Sequence, residues 1–264
     1  MKKLGMLLFV LICIFTCSCA SAQETGSVSG SRIGIISAMD TEIDLLLTHA
    51  EIEYEDHVGG IVFHVGTLCG KDVVIVRAGV GKVLAAAGTA ALFNRYDISS
   101  LIFTGVAGGV GDETKVLDMV IATDLVQHDY GMINNEGFVW SPTHDNTTGG
   151  YYSTDESLVE LAYNAAVETI GEAKVFKGTI ATGDQFVASA SYVKELQEKF
   201  DAIACEMEGA SVAAVCGQYN VPFVVLRVMS DKADGEAHET YANWVDNAAD
   251  RSCTVVEKML EEMN

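Results

Sequence analysis

Basic residues and prolines are scarce in this chain. Of 264 residues, 16 are lysine or arginine against 37 aspartates and glutamates, for a formal net charge of −21, and two are proline. A chain so short of cations excludes nucleic acid and anionic membrane as partners, because phosphate contacts need clustered positive charge. With 49% hydrophobic and 20% charged residues, the composition also excludes a disordered chain and supplies apolar material for one packed core. Cysteine is present but unpatterned. Cys13, Cys17 and Cys19 lie near the amino terminus, while Cys69, Cys205, Cys216 and Cys253 are spread through the rest with no Cys-x-x-Cys pair. The six histidines, at positions 49, 57, 64, 128, 144 and 238, are equally scattered. No zinc site and no disulfide framework are implied, and buried free thiols are expected.

One long apolar run exists, Leu4 to Phe15, between Met1-Lys2-Lys3 and the small-residue stretch Thr16 to Ala22. That is the layout of an export signal, and the run is too short to span a bilayer well. Residues 1–22 are therefore read as an export signal, ending either in cleavage after Ala20-Ser21-Ala22 or in lipidation at Cys17 or Cys19. The mature protein is expected outside the cytoplasm, periplasmic or membrane-anchored as a lipoprotein. A Gly/Ser-rich linker (23–31) leads to a single domain, 32–264.

Within that domain short β-branched runs alternate with helical patterns. Strands are expected at Ile33–Ile36, Ile61–Val65, Val73–Arg77, Leu101–Phe103, Val116–Leu125, Ala173–Ala181 and Phe223–Val228. Helices are expected at Thr41–His49, Val83–Arg95, Glu156–Ile170, Tyr192–Phe200, Met207–Tyr219 and from about Asn243 to Met263. The polar segment Gly131 to Gly150 is expected to be a long surface excursion. This alternation implies an α/β domain in three αβα layers around a central mixed, twisted sheet, whose ligands would sit beyond the carboxyl ends of the strands.

Several strand ends carry chemistry. Gly79-Val80-Gly81-Lys82 opens a helix and either presents backbone N–H groups to an anion or simply makes a tight turn; with Val83 next, it is not a triphosphate loop. Gly105, Gly108 and Gly109 do not match the dinucleotide fingerprint but let a ligand approach the backbone. Glu206 and Glu208 either bind a ligand or stabilise a first helical turn. Asp231 follows the apolar strand and is either a desolvated acid or a cap.

Together and in this order these segments closely resemble the 5′-methylthioadenosine/S-adenosylhomocysteine nucleosidases of the nucleoside phosphorylase and nucleosidase superfamily. The resemblance runs from Ile33 to the closing helix. It rests on Ile33-Gly34-Ile35-Ile36-Ser37-Ala38-Met39 with Glu42, Gly79-Val80-Gly81-Lys82-Val83, Thr104-Gly105 with Ala107-Gly108-Gly109, His128-Asp129, Gly183-Asp184-Gln185-Phe186, Glu206-Met207-Glu208, and Arg227 with Ser230-Asp231. It implies hydrolysis of methylthioadenosine, S-adenosylhomocysteine or 5′-deoxyadenosine to adenine and a sugar, with no cofactor and no metal. Asp231 would protonate adenine N7, and Glu42 would activate water with help from Arg227. Glu208, with Glu206 nearby, would hold the ribose hydroxyls. Met207 and Phe186 would pack on sugar and base, the Val187 backbone would read the adenine edge, and Ser230 would hold Asp231. A homodimer is implied as well, with the region around Met132 reaching a partner's 5′ pocket.

The chain departs from the family at Val106, where a serine is usual, and after Asp129, where Tyr130-Gly131-Met132-Ile133 replaces an apolar stretch. Two alternatives stand beside hydrolysis. One is a phosphate-dependent nucleoside phosphorylase, disfavoured because Asp40-Thr41-Glu42 offers no arginine after the first strand. The other is a non-catalytic nucleoside-binding protein, which would need neither Glu42 nor Asp231.

Overall fold

The computed structural model describes residues 30–142 and 149–263, so the leader expected at 1–22 and the linker as far as residue 29 lie outside the described residues. The first half of the domain runs β1 (Arg32–Ser37), a 3-10 turn (Asp40–Glu42), α1 (Asp44–His49), β2 (Glu51–Val58), β3 (Ile61–Leu68), β4 (Lys71–Arg77), α2 (Lys82–Arg95), β5 (Ile98–Gly109) and β6 (Met119–Gln127). The second half runs β7 (Gly131–Asn134), β8 (Gly137–Trp140), β9 (Tyr151–Ser153), α3 (Glu156–Ile170), β10 (Val175–Thr182), α4 (Ala190–Phe200), β11 (Ala202–Glu206), α5 (Gly209–Tyr219), β12 (Phe223–Asp231) and α6 (Ala237–Glu262). Local chemistry sets several ends. The Asp155 side chain accepts from Leu158 N to start α3, and Ser189 accepts from Tyr192 N to start α4. Asp201 and Asn220, both left-handed, end α4 and α5.

The main sheet is mixed, in the order β11-β10-β6-β12-β5-β1-β4-β3-β2, with β9 paired to β6. Its central strands are buried on both faces, which is why they read as continuous apolar runs. Ile35, Ile102, Val224 and Leu226 face α1, α3 and α6, while Ile36, Leu101, Phe103 and Val225 face α2 and α5. Each such side chain contributes about 1.5–3 kcal/mol on burial. A one-residue slip would exchange the two sets, so register is firmly specified. The same alternation puts Arg227 on the α2/α5 face, where its guanidinium carbon lies 4.0 Å from the Phe103 ring centre.

Several elements differ from the sequence expectation. Thr41–His49 is not one helix, because the Glu42 carboxylate accepts the N–H groups of Ala38 and Met39 and draws the chain into a tight turn before α1. β5 continues to Gly109, since Gly108 and Gly109 pair with Cys205 and Ala204 of β11, so the sheet curls towards its own far edge. β2 was unforeseen because its Glu-Ile-Glu-Tyr-Glu-Asp sequence is mostly exposed. A hairpin, β7 and β8, replaces part of the expected loop, and α6 begins at Ala237, six residues early.

Candidate active site

The curl gathers the carboxyl ends of β1, β5, β11 and β12 around a cavity of about 280 Å³. At its β1 side Glu42 is 3% exposed. Its Oε2 accepts from Ser37 Oγ at 2.8 Å, Ala38 N at 3.0 Å and Met39 N at 2.8 Å, and its Oε1 accepts from Val106 N at 2.9 Å. A carboxylate has about four acceptor positions, two per oxygen. Oε2 is saturated, and the capacity that remains lies on Oε1. That oxygen has room only because residue 105 is glycine. A Cβ there would stand 2.5 Å from Glu42 Oε1 and 3.3 Å from Arg227 Nη1.

Glu206 and Glu208, two apart, have different partners. Glu206 Oε1 accepts from Thr182 Oγ1, and its Oε2 accepts from Glu208 N, Gly209 N and Arg227 Nη2. Its Oε2 is saturated by donors of the fold, while Glu206 also lines the cavity and keeps acceptor capacity on Oε1. It neutralises Arg227 and anchors the start of α5. Among the described residues, Glu208 Oε1 accepts from Gly81 N alone, at 2.8 Å, and Arg227 Nη2 lies 4.0 Å from Oε2. Gly81, at φ 93°, takes a conformation that glycine adopts freely and aims its N–H at this carboxyl. The anion at the amino end of α2 is thus the protein's own. Arg227, expected at the water, is 1% exposed and stands behind these two carboxyls rather than on the cavity wall.

Burial first, and then the charge of Glu206, push the Glu208 carboxyl up to about 8. That shift favours the protonated form of Glu208 at neutral pH, whereas a carboxylate is the better acceptor for two ribose hydroxyls. Nucleoside binding should then release a proton. Affinity for an uncleavable adenine nucleoside analogue is expected to rise between pH 6 and pH 8, by up to about tenfold per unit, and to level off above about 8. Calorimetric titration across this range checks it. Glu208→Gln should bind more weakly with a flat profile, and a wild-type profile that is flat or falls with pH would contradict the assignment.

Asp231 ends β12. Its Oδ2 accepts from Ser230 Oγ at 2.9 Å, as expected of Ser230, and its Oδ1 accepts from Ala233 N at 2.7 Å. Burial raises its carboxyl above the ordinary range, against the pull of those two donors. Next to it, the loop after β10 carries Phe186 and Val187. Lys82 Nζ meets Asp129 Oδ1 at 2.6 Å, Asp129 Oδ2 accepts from Asp184 N, and Asp184 Oδ1 accepts from Lys82 N. Burial opposes the Asp129 charge, yet Lys82 and the Asp184 N–H hold its carboxyl below the usual value. His128-Asp129 and Gly183-Asp184 thus tie this loop to the start of α2.

Val106, Phe186, Val187, Glu206, Met207, Glu208, Ser230 and Asp231 line the cavity with Glu42. Val106 offers methyl groups in place of a hydroxyl, but its N–H still serves Glu42. Met132 does not reach the cavity; it lies 54% exposed on the β7–β8 hairpin. Sequence reading missed His238 and Tyr241. The imidazole of His238 stacks on Phe186 at 4.6 Å, and the Tyr241 ring meets Phe186 edge-on at 5.7 Å. Their signal was the spacing of three in a helix that opens just after Asp231, which places both on one face.

The sequence matches the Phosphorylase superfamily over residues 32–261. The 5′-methylthioadenosine/S-adenosylhomocysteine nucleosidase of Shewanella sediminis is 36% identical over 233 residues, covering 88% of this chain and 100% of that protein. The Neisseria meningitidis nucleosidase of the same name, crystallised in complex with methylthio-immucillin-A, is 34% identical with a TM-score of 0.81 over 89% of this chain and 100% of that one. A futalosine hydrolase from Helicobacter pylori is 35% identical with a TM-score of 0.77, over 88% and 98%. Fold, cavity and similarity agree, and the chain belongs to the Phosphorylase superfamily and, within it, to the 5′-methylthioadenosine/S-adenosylhomocysteine nucleosidases.

Proposed function

We propose that this chain hydrolyses the N-glycosidic bond of 5′-methylthioadenosine and S-adenosylhomocysteine, releasing adenine and the 5-substituted ribose. One observation carries the reading: two carboxyl groups in one cavity are prepared for opposite tasks. Asp231 is desolvated and inclined to keep a proton, while Glu42 is saturated with donors except for one acceptor position. They flank β5 at Gly108 and at Gly105-Val106, two or three residues apart, which is roughly 7–10 Å along a strand. That spacing admits a sugar and a water, as in inverting glycosidases.

The Asp231 proton passes to N7 of adenine as the C1′–N9 bond breaks and its electron pair leaves with the base. A water held by Glu42 Oε1 adds to the cationic C1′ and gives its proton to that carboxylate. Glu208 accepts from the ribose hydroxyls, Phe186 and Met207 cover base and sugar, and the Val187 backbone meets the adenine edge. Phosphate is a poor substitute for the water, because the cavity wall carries four carboxyl side chains and no lysine or arginine. The leaderless protein is expected to release adenine from 5′-methylthioadenosine at the same rate with and without phosphate, followed by coupled absorbance. Tight binding without release would favour a binding protein and sink the proposal.

The leader supports export of the protein, and the apolar side chains exposed on the β7–β8 hairpin, Met132, Ile133, Phe138 and Val139, support a homodimer. Mass spectrometry of the mature amino terminus and sedimentation of the purified protein check both readings. A retained leader, or a monomer at micromolar concentration, would refute them.

A further inference from the structure

Tyr241 bears on which 5′ group the enzyme accepts. A nucleoside with its base at Asp231, its hydroxyls at Glu208 and its anomeric carbon above Glu42 Oε1 has engaged three sides of the cavity. C5′ leaves the ring at the carbon beside the ring oxygen, away from the hydroxyl edge. Of the lining residues this pose leaves without a role, Met39, His238 and Tyr241 are joined through Phe186 and through the Tyr241–Met39 contact into one side of the cavity, and Val80 is a further apolar lining residue. Met39 and Val80 are apolar, and the His238 ring is stacked on Phe186. Tyr241, half-buried, brings a hydroxyl there, and its present partner is Met39 Sδ at 3.3 Å. A thioether is a weak acceptor, so this donor gains by exchanging it for an oxygen. Burial, followed by the charges of Glu42, Asp231, Asp246 and Glu208, raises the phenol above its ordinary value, which keeps the hydroxyl a donor at every working pH.

We infer that Tyr241 is a specificity-determining residue whose hydroxyl donates a hydrogen bond to the 5′ substituent, so that the site accepts 5′ groups bearing an oxygen acceptor, the 5′-hydroxyl of adenosine included, as well as thioethers. The inference rests on the nucleosidase reading. It is tested with adenosine and 5′-deoxyadenosine, which differ only in the 5′ oxygen, on the wild-type protein and on Tyr241→Phe. The variant is expected to lose about tenfold in kcat/KM for adenosine and less than about twofold for 5′-deoxyadenosine, since one substrate hydrogen bond is removed and little else. An unchanged ratio, or a wild-type enzyme that cleaves 5′-deoxyadenosine but not adenosine, would overturn it. A wild-type protein that cleaves no adenine nucleoside would instead refute the nucleosidase reading. Calorimetric affinities for the same two compounds would then still decide whether Tyr241 reads the 5′ oxygen, again through the ratio between wild type and variant.

Discussion

Asp231→Asn should lower turnover of 5′-methylthioadenosine by roughly 10²- to 10⁴-fold, the range over which a positioned acid contributes, while leaving the fold and much of the substrate affinity in place. The substitution is mild for structure. An asparagine Oδ1 keeps the bond from Ala233 N, and its Nδ2 can donate to Ser230 Oγ, whose own hydrogen turns to Ala107 O at 3.3 Å. It also removes a cost. Burial raises the folded-state pKa of Asp231, so the folded protein holds its proton where the unfolded chain has lost it. That penalty is absent at pH values below the ordinary carboxylate range and grows as pH rises through it. At neutral pH the variant should therefore melt at the same temperature or higher. Loss of activity accompanied by a large fall in Tm would show a structural role only, and undiminished activity would remove Asp231 from the mechanism.

The second large effect is at Glu42. Glu42→Gln should also cost roughly 10²- to 10⁴-fold in kcat, because it removes the carboxylate proposed to take the water's proton. Here the structure is less forgiving. The amide oxygen can keep Ser37, Ala38 and Met39, but its NH₂ then faces Val106 N, donor against donor, where Oε1 now accepts at 2.9 Å. A moderate loss of stability, on the order of 1–3 kcal/mol for the unsatisfied N–H, should accompany the kinetic effect. Chemical denaturation and steady-state kinetics on the same preparation separate the two. A variant that retains kcat and loses only KM would assign Glu42 to binding.

Asp231 stood out in the sequence because it closes an apolar strand whose end opens on the cavity, whereas Glu42, five residues beyond β1 in the 3-10 turn, was singled out by the family resemblance. The division of labour at Glu206-Met207-Glu208 was not legible in the sequence. Spacing makes the two acids equivalent, and Arg227, arriving from β12, and Gly81, at the start of α2, make Glu206 the one bound mainly to the fold and leave Glu208 freer towards the cavity. Both partners are remote in sequence. The 5′ wall was missed for a different reason. Ala-His-Glu-Thr-Tyr-Ala-Asn is polar, lacks apolar periodicity, and starts α6 without a side-chain cap at Glu236, so the helix was placed six residues late and His238 and Tyr241 fell outside it. Strand β2 escaped because its acids face solvent on an edge, where burial gives no pattern to read. The resemblance sets Met132 at a partner subunit's 5′ pocket, and in this chain it lies exposed on the β7–β8 hairpin, away from its own cavity.

In the proposed reaction water, not phosphate, meets the sugar in a cavity walled by carboxyls. The most direct measurement is proton and phosphorus NMR of the products formed from 5′-methylthioadenosine by leaderless enzyme in concentrated phosphate buffer. Free 5-methylthioribose in equal amount to adenine, with no new phosphorus resonance, is the predicted result; a sugar 1-phosphate would contradict it.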